Sequence, residues 1–275
     1  LVFGLFVAGT SAWTLFKNKS VDVVRSTLKL GSITAIVAFL FVGWTGDMQA
    51  TKMVEIQPMK MAAAEALWDT AAPAPFSLFT IGTLDGSAPI FSVEVPHGLS
   101  LLATHSWDGE VQGINDLQAQ YEQQFGPGDY RPNIPMAYWN FRLMIGFGAL
   151  GALIAAYMLW ATRKDRIPTS KWFPRLALLG IVMPLLGSST GWIFTEMGRQ
   201  PWIVFGLMQT SQGVSPTITP LYVILSMGIF TLLYGGLAVV EVGLLMRAVK
   251  IGPPDAVEEN YPDKLGEERP LTVTY

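Results

Sequence analysis

The stretch LMIGFGALGALIAAYMLWAT, residues 143–162, contains no charged side chain. Its length matches the roughly 20 apolar residues that a helix needs to cross a bilayer. Backbone groups in lipid must pair within their own segment, so the stretch predicts a transmembrane helix that begins about a turn earlier, near Ala137. Four further stretches share this composition, apart from one carboxylate, Glu241, in the last: Leu1–Phe16, Leu30–Gly46, Leu176–Thr195 and Leu221–Met246.

The composition of the 275 residues agrees with this interpretation. Hydrophobic residues make up 51% and charged residues only 14%, against about 25% charged in soluble domains. The chain has no cysteine, which excludes disulfides, cysteine-ligated metal centres and thioether-attached haem. With a net charge of -3 and no basic patch, no nucleic-acid partner is expected. The predicted fold class is an all-α integral membrane protein, a bundle of about five transmembrane helices with one long extracytoplasmic loop between the second and third.

Positive charge is distributed unevenly over the connections between these helices, and it predicts their orientation. Basic residues are concentrated in three groups: Lys17, Lys19, Arg25 and Lys29; Arg163, Lys164, Arg166, Lys171 and Arg175; Arg247 and Lys250. The long segment after the second helix has only Lys52, Lys60 and Arg131 against many Asp and Glu residues. Because cytoplasmic loops carry the excess of Lys and Arg, this segment is predicted to lie outside and the C-terminal tail in the cytoplasm.

The predicted organisation has four parts. Residues 1–46 form two transmembrane helices, the first one truncated, and residues 47–136 form the extracytoplasmic loop. Residues 137–250 form three transmembrane helices, and residues 251–275 form a polar tail. A loop longer than about 15 residues is usually functional or disordered. Within it we predict a helix over Met59–Trp68 and short strands at Phe76–Ile81 and Ile90–Val95.

Polar groups at membrane depth are costly and therefore mark functional candidates. Arg142 and Met144 lie near the outer end of the third helix. A methionine thioether can ligate haem iron together with a histidine, and a guanidinium can pair with a haem propionate. The alternative is that Arg142 reaches to the membrane surface and Met144 only packs. Glu241, in the last helix, is either a proton relay or a hydrogen-bonded packing residue.

Two further groups lie at the predicted outer side. Trp192, Glu196 and Arg199 gather at the end of the fourth helix, where Glu196 and Arg199 are spaced to pair on one face; the alternative is an interfacial aromatic belt with a surface ion pair. Lys60 and Glu65 offer a base and an acid that could bind a quinol hydroxyl and take its proton. The alternative for this second group is a solvated helix face.

Together these residues resemble subunit I of the cytochrome bd quinol oxidases. The likeness is carried by three strings: Gly198-Arg199-Gln200-Pro201-Trp202 with Glu196 and Trp192 before it, Phe141-Arg142-Leu143-Met144, and Lys60 to Glu65 preceded by Gly46-Asp47 and Gln57. The resemblance covers Leu1 to about Gly252, and over these residues the chain resembles the C-terminal part of the subunit. The loop lacks the long insert of some relatives, which places the chain in the short quinol-loop subgroup.

The resemblance implies a role for each matching residue. Met144 would ligate the iron of a low-spin haem b with Arg142 beside it, and Glu196 would ligate the iron of a high-spin haem b. Arg199 and Trp192 would line the haem cluster, while Lys60 and Glu65 would belong to the quinol site. The family pattern also implies that the histidine partner of Met144 and the haem d ligand precede Leu1.

The implied function is that of a catalytic subunit of a terminal respiratory oxidase. It would oxidise quinol at the outer face and reduce O2 to water with low-spin haem b, high-spin haem b and haem d, generating a proton-motive force. The implied setting is a bacterial or archaeal plasma membrane, with a second oxidase subunit as partner and small accessory membrane subunits as a further option. Two rival classes stay open: a secondary transporter with Glu241 and Arg142 as relay charges, although neither repeats nor broken helices are evident, and a non-catalytic membrane scaffold.

Overall fold

The computed structural model describes residues 1–17, 21–83 and 88–251, without the side chains of residues 165 and 248–251. Lys19, Asp85, the side chain of Lys250 and residues 252–275 of the predicted tail lie outside the described residues. The chain divides into one unit over Leu1–Val214 and a second over Ser215–Tyr275. Within the second unit, the described secondary structure is a single long helix.

Most elements of the molecule are helices, and two short hairpins lie between helices. The elements are α1 (Val2–Phe16), α2 (Val21–Ile56), α3 (Pro58–Glu65), β1 (Phe76–Gly82), β2 (Pro89–Val95), α4 (Gly98–Thr104), α5 (Ile114–Phe125), α6 (Ile134–Ala161), α7 (Trp172–Gly198), β3 (Trp202–Val204), β4 (Met208–Gln209) and α8 (Pro220–Ile251). In the described part of the chain, α2, α6, α7 and α8 are long and apolar enough to cross a membrane, and α1 is a shorter apolar helix. The predicted class, a helical membrane protein, is confirmed.

The second helix is longer than its apolar stretch. We predicted a span over Leu30–Gly46, whereas α2 continues from Val21 to Ile56. Helical hydrogen bonding does not end where the lipid-facing residues end, so α2 carries charged residues in both of its terminal parts. It stops at Gln57, whose extended φ of -136° precedes Pro58, because a residue before proline is disfavoured in the helical region.

Four of the helices pack together in the first unit. Their shared core includes Leu5, Ala8, Leu28, Met158 and Phe173, each fully buried. The crossing of α1 and α2 is close, since a Cβ on Gly4 would lie 2.8 Å from the carbonyl oxygen of Gly31. Small residues at such a crossing let two membrane helices approach to backbone contact.

The segment between α2 and α6, residues 57–133, is called here the connecting segment. It contains α3, the antiparallel hairpin β1–β2, α4 and α5, and the two predicted strands correspond to β1 and β2. The predicted helix over Met59–Trp68 ends earlier, at Glu65, because Ala66 adopts a left-handed φ of 52°. The buried alanines of α3 pack against Ile114 and Leu117 of α5, which fixes α3 against the end of the bundle.

The second unit is described by α8. This helix runs from Pro220 to Ile251 and carries Glu241 in its apolar sequence. Glu241 therefore lies within a helix that could span a membrane, as the sequence predicted, and the choice between a relay and a packing role stays open.

Candidate functional site

The short helix α3 directs two candidate side chains to different neighbours. Pro58 occupies its first turn, where a missing N–H costs nothing. Lys60 and Glu65 are five residues apart, which separates them by about 140° around the helix axis. As a result Lys60 lies at the end of α7, whereas Glu65 lies against α6.

Glu65 forms a two-point ion pair with Arg142 of α6. Nη2 of Arg142 lies 2.6 Å from Oε2 of Glu65, and Nη1 lies 3.2 Å from Oε1. The side chain of Glu65 is 3% exposed and that of Arg142 is 14% exposed. A parallel two-point arrangement of this kind is the strongest geometry that a guanidinium and a carboxylate can form.

The guanidinium of Arg142 is held on its remaining sides as well. Nη2 and Nε donate to the carbonyl oxygen of Ser77 at 2.7 Å and 3.2 Å. The rings of Phe76 and Tyr138 each lie 4.7 Å from its Cζ atom. Cation–π contacts of this kind gain strength when they are desolvated. Arg142 is therefore fixed in place by the connecting segment and by its own helix.

Burial affects the pKa of the Glu65 carboxyl. Loss of solvent raises the pKa of the Glu65 carboxyl above its ordinary value, and the hydrogen bonds and charge of Arg142 oppose that rise only in part. A carboxyl with a raised pKa can exchange a proton closer to neutral pH than a solvated one. The geometry thus makes Glu65 a suitable proton acceptor and donor.

Lys60 lies over the last turn of α7. Its Nζ donates to the carbonyl oxygen of Thr195 at 3.4 Å and lies 4.9 Å from the centre of the Phe194 ring. Burial lowers the pKa of the Lys60 ammonium; the carboxylate of Glu196 opposes this effect and Arg199 adds to it. Lys60 is therefore coupled electrostatically to the two candidate residues of α7.

Glu196 and Arg199 pair on one face of α7, as their spacing predicts. Nη2 of Arg199 lies 2.5 Å from Oε2 of Glu196, and both side chains are about one-third exposed. Trp192, on the same helix, is 69% exposed and does not join the group around Lys60. Lys60 of the connecting segment thus meets the pair at the end of α7, and Trp192 lies one helical turn before Glu196 on that helix.

Met144 lies at the contact between α6 and α7, opposite a glycine. A Cβ on Gly191 would lie 2.8 Å from the sulfur of Met144, which is closer than two such atoms can approach. Any side chain at this position would force the thioether to move. Gly191 therefore forms a notch that receives the Met144 sulfur.

These residues fit a haem site by their chemistry. A methionine sulfur is an established haem ligand, and a carboxylate oxygen such as that of Glu196 is a ligand that iron accepts. Nε of Arg199 is buried and has no hydrogen-bond partner within the part of the chain that the structure describes. This N–H could donate a hydrogen bond to an oxygen of a bound group, such as a haem propionate.

Sequence reasoning missed the residues that surround Arg142. Tyr138 is four positions before Arg142 on the same helix, so helical spacing could have identified it. Phe76 and Ser77 reach Arg142 only because the connecting segment folds back onto α6, and no local pattern signals that contact. Oδ2 of Asp47 lies 3.1 Å from Nε2 of His105, a contact between α2 and the connecting segment that the sequence does not signal.

Comparison with known proteins agrees with the predicted family. The sequence model of the family "Cytochrome bd terminal oxidase subunit I" matches residues 1–253. The cytochrome bd ubiquinol oxidase subunit 1 of Bacillus subtilis (strain 168) is 40% identical over 259 residues, which are 94% of this chain and 55% of the relative. The cytochrome bd-II ubiquinol oxidase subunit 1 of Escherichia coli (strain K12) is 26% identical over an alignment of 318 residues that covers 94% of this chain and 61% of the relative.

A solved structure supports the same relationship. The structure of bd oxidase from Geobacillus thermodenitrificans aligns with a TM-score of 0.77 and 29% identity, covering 92% of this chain and 55% of the solved chain. The chain thus spans between 55% and 61% of the length of these proteins.

Proposed function

The chain belongs to the cytochrome bd terminal oxidase subunit I family, and from this premise we propose that it is part of a haem-bearing subunit that oxidises quinol and reduces O2 to water. The quinol would be oxidised at the outer membrane face, beside Lys60 and Glu65. The haem irons would be held by Met144 and Glu196. The activity belongs to the whole subunit and its complex, of which this chain is a part.

One observation carries the proposal: the quinol-site candidates on α3 contact the helix ends that carry the haem-ligand candidates. Glu65 pairs with Arg142, two residues before Met144. Lys60 contacts Thr195, the residue before Glu196. A quinol bound at α3 would therefore lie beside the helix ends that carry the candidate haem ligands, and a short separation is what electron transfer between them requires.

The chain's own residues supply the proton chemistry. Oxidation of a quinol to a quinone releases protons along with electrons, so a group that accepts them must lie close to the hydroxyl, in direct contact or joined to it through another hydrogen-bonding group. The Glu65 carboxylate would accept a proton, and Arg142 would keep the carboxylate oriented while it is ionised. Lys60, with its lowered pKa, would be a second group able to bind and release a proton near the membrane surface.

The cofactors we propose are low-spin haem b, high-spin haem b and haem d. Met144 would hold the first and Glu196 the second, with Arg142, Arg199 and Trp192 beside them. The haems would supply the electron transfer and oxygen chemistry that side chains lack. The ligand of haem d and the histidine partner of Met144 would come from parts of the subunit outside this chain.

The setting we propose is a bacterial or archaeal plasma membrane, with residues 47–136 outside and the tail in the cytoplasm. This orientation follows the distribution of Lys and Arg. Protons from quinol would then leave on the outside, which would contribute to a proton-motive force. A second oxidase subunit is the expected partner, together with small accessory subunits.

The test uses the purified full-length oxidase complex in detergent. We expect b-type haem bands and a far-red haem d band in the reduced-minus-oxidised spectrum, and O2 uptake with quinol. Glu65→Ala should lower quinol-driven O2 uptake and leave O2 uptake from an artificial electron donor intact. Glu55→Ala is the matched control, because Glu55 is 63% exposed and pairs with Lys52 on the same helix. Equal loss of both activities in Glu65→Ala would argue against the quinol role, and a flat spectrum would overturn the haem assignment.

A further inference from the structure

A cavity of about 170 Å³ lies beside the Glu65–Arg142 pair, between the β1–β2 hairpin and the first turns of α6. Its wall is largely aromatic and aliphatic, with Trp68, Ile81, Ile134, Tyr138 and Trp139 as the large side chains. For comparison, an engineered apolar cavity of about 150 Å³ binds one benzene molecule. The cavity therefore has room for about one six-membered ring.

Two side chains that line the cavity, Thr80 and Tyr138, are buried and carry a hydroxyl. Thr80 lines it, is 2% exposed, and its hydroxyl lies 2.5 Å from that of Ser77. The Ser77 hydroxyl lies in turn 2.9 Å from the hydroxyl of Tyr138. Three buried hydroxyls thus form a chain that begins at the cavity wall. Because each hydroxyl can both donate and accept, the chain suits either a hydroxyl or a carbonyl oxygen of a ligand.

The charge of the site restricts the class of ligand further. Within the described residues, every side chain that lines the cavity is uncharged. Arg142 lies behind the Tyr138 ring, 4.7 Å from its centre, and is already engaged by Glu65. A carboxylate or phosphate would find no cation in the wall, whereas a flat neutral ring would pack against the indoles and the phenol.

The place of the cavity indicates where its ligand comes from. Trp139, which lines it, lies in the second turn of the membrane helix α6 and is 37% exposed. Tryptophan is enriched at membrane–water interfaces. Ala66, the residue after Glu65, also lines the cavity. A ligand here would enter at the membrane surface and lie near Glu65, which is the neighbour of a lining residue and is not itself part of the wall.

We propose that this cavity binds the ring of the quinol, with the Thr80 hydroxyl as the hydrogen-bond partner of one ring oxygen. The assignment rests on the proposed quinol oxidation and adds the location of the ring. The Tyr138 ring would then have two contacts: one face would lie toward the quinol ring and the other toward Arg142. Ile134 and Thr80 become residues that determine affinity for the ring.

The test measures KM and kcat of the full-length oxidase complex with tetramethyl-1,4-benzoquinol, which has no tail. Ile134→Phe fills the cavity and should raise KM about tenfold, the factor that corresponds to roughly 1.4 kcal/mol of lost binding. Thr80→Val keeps the shape without the hydroxyl and should raise KM about fivefold, as the loss of one neutral hydrogen bond predicts. Ile90→Phe is the matched control, because Ile90 is 68% exposed on β2 and does not line the cavity; its KM should stay unchanged.

The haem spectrum and the rate with an artificial donor should be normal in all three variants. If Ile134→Phe loses haem, Thr80→Val decides the question alone. An unchanged KM in Thr80→Val, with normal haem and normal wild-type quinol oxidation, would overturn the ring assignment and leave the proposed function intact. A rise in KM for a long-tailed quinol only would assign the cavity to the tail and also overturn it. A wild-type complex that does not oxidise quinol would instead contradict the proposed function.

Discussion

Arg142 and Glu65 are 77 residues apart in sequence and form a two-point ion pair, with contacts of 2.6 Å and 3.2 Å, that is almost completely buried. The pair joins the connecting segment to a membrane helix. A buried pair adds little net stability over apolar residues of the same size, but removing one partner leaves an uncompensated charge. The contact therefore makes the position of α3 depend on both residues at once.

Removing one member of this pair should destabilise the protein more than removing both. We expect Arg142→Met to lower the free energy of unfolding by about 3–5 kcal/mol, and Glu65→Leu with Arg142→Met to recover most of that loss. Thermal unfolding of the purified complex in detergent measures both changes. Lys52→Met is the control, since Lys52 and Glu55 pair at 2.7 Å on an exposed surface, where the expected change is below about 1 kcal/mol. A double variant as unstable as Arg142→Met would contradict the prediction.

The rate of quinol oxidation should decrease at acidic pH because the Glu65 carboxylate becomes protonated. A carboxylate accepts a proton only while it is ionised, and burial raises the pKa of Glu65 above the ordinary value of 4.5. Activity should therefore decline as the pH falls through a range above 4.5, where a solvated carboxylate would still be charged. The measurement is kcat/KM for quinol against pH, with the artificial donor as reference. Glu65→Gln should remove this acidic limb together with most of the activity, and an unchanged limb in that variant would assign it to another group.

Met144→Leu should change the spectrum of one haem. Leucine fills a similar volume without a sulfur, so the low-spin haem b signal should become high-spin or disappear in the reduced-minus-oxidised spectrum. Met158→Leu is the matched control, because Met158 lies on the same helix and is fully buried in the helix-packing core. Its substitution should leave the spectrum as it is. An unchanged spectrum in Met144→Leu would exclude Met144 as an iron ligand.

Gly191→Ala should disturb the same haem without touching the ligand itself. The new methyl group would lie 2.8 Å from the Met144 sulfur, so the thioether must move, and we expect a shifted low-spin band and a changed midpoint potential. Gly187→Ala, one turn earlier on α7, meets nothing closer than 3.5 Å and should be neutral. Equal spectra for the two variants would mean that the notch does not position the sulfur.

The apolar stretches predicted the membrane helices because length and composition are local properties. The ends of α2 were not predictable from hydropathy, since Val21 and Ile56 lie beyond the apolar run and only the proline after Gln57 marks the end. The pairing of Glu196 with Arg199 was predictable, because a spacing of three residues on a helix fixes it.

The contacts between distant segments could not be read from the sequence. Lys60 and Glu65 were grouped by their proximity along the chain, yet one lies at α7 and the other at α6. The chain of Ser77, Thr80 and Tyr138 likewise depends on how the β1–β2 hairpin folds onto α6. Such contacts are set by tertiary packing, for which hydrophobic periodicity carries no signal.

A single residue, Gln57, separates the membrane helix α2 from α3, so the positions of Lys60 and Glu65 depend on the length of α2. Each residue of a helix adds about 1.5 Å of length and about 100° of rotation. One inserted residue near the end of α2 would therefore turn Lys60 away from α7 and Glu65 away from Arg142 together. An insertion in the last turns of α2 is accordingly expected to break both contacts at once.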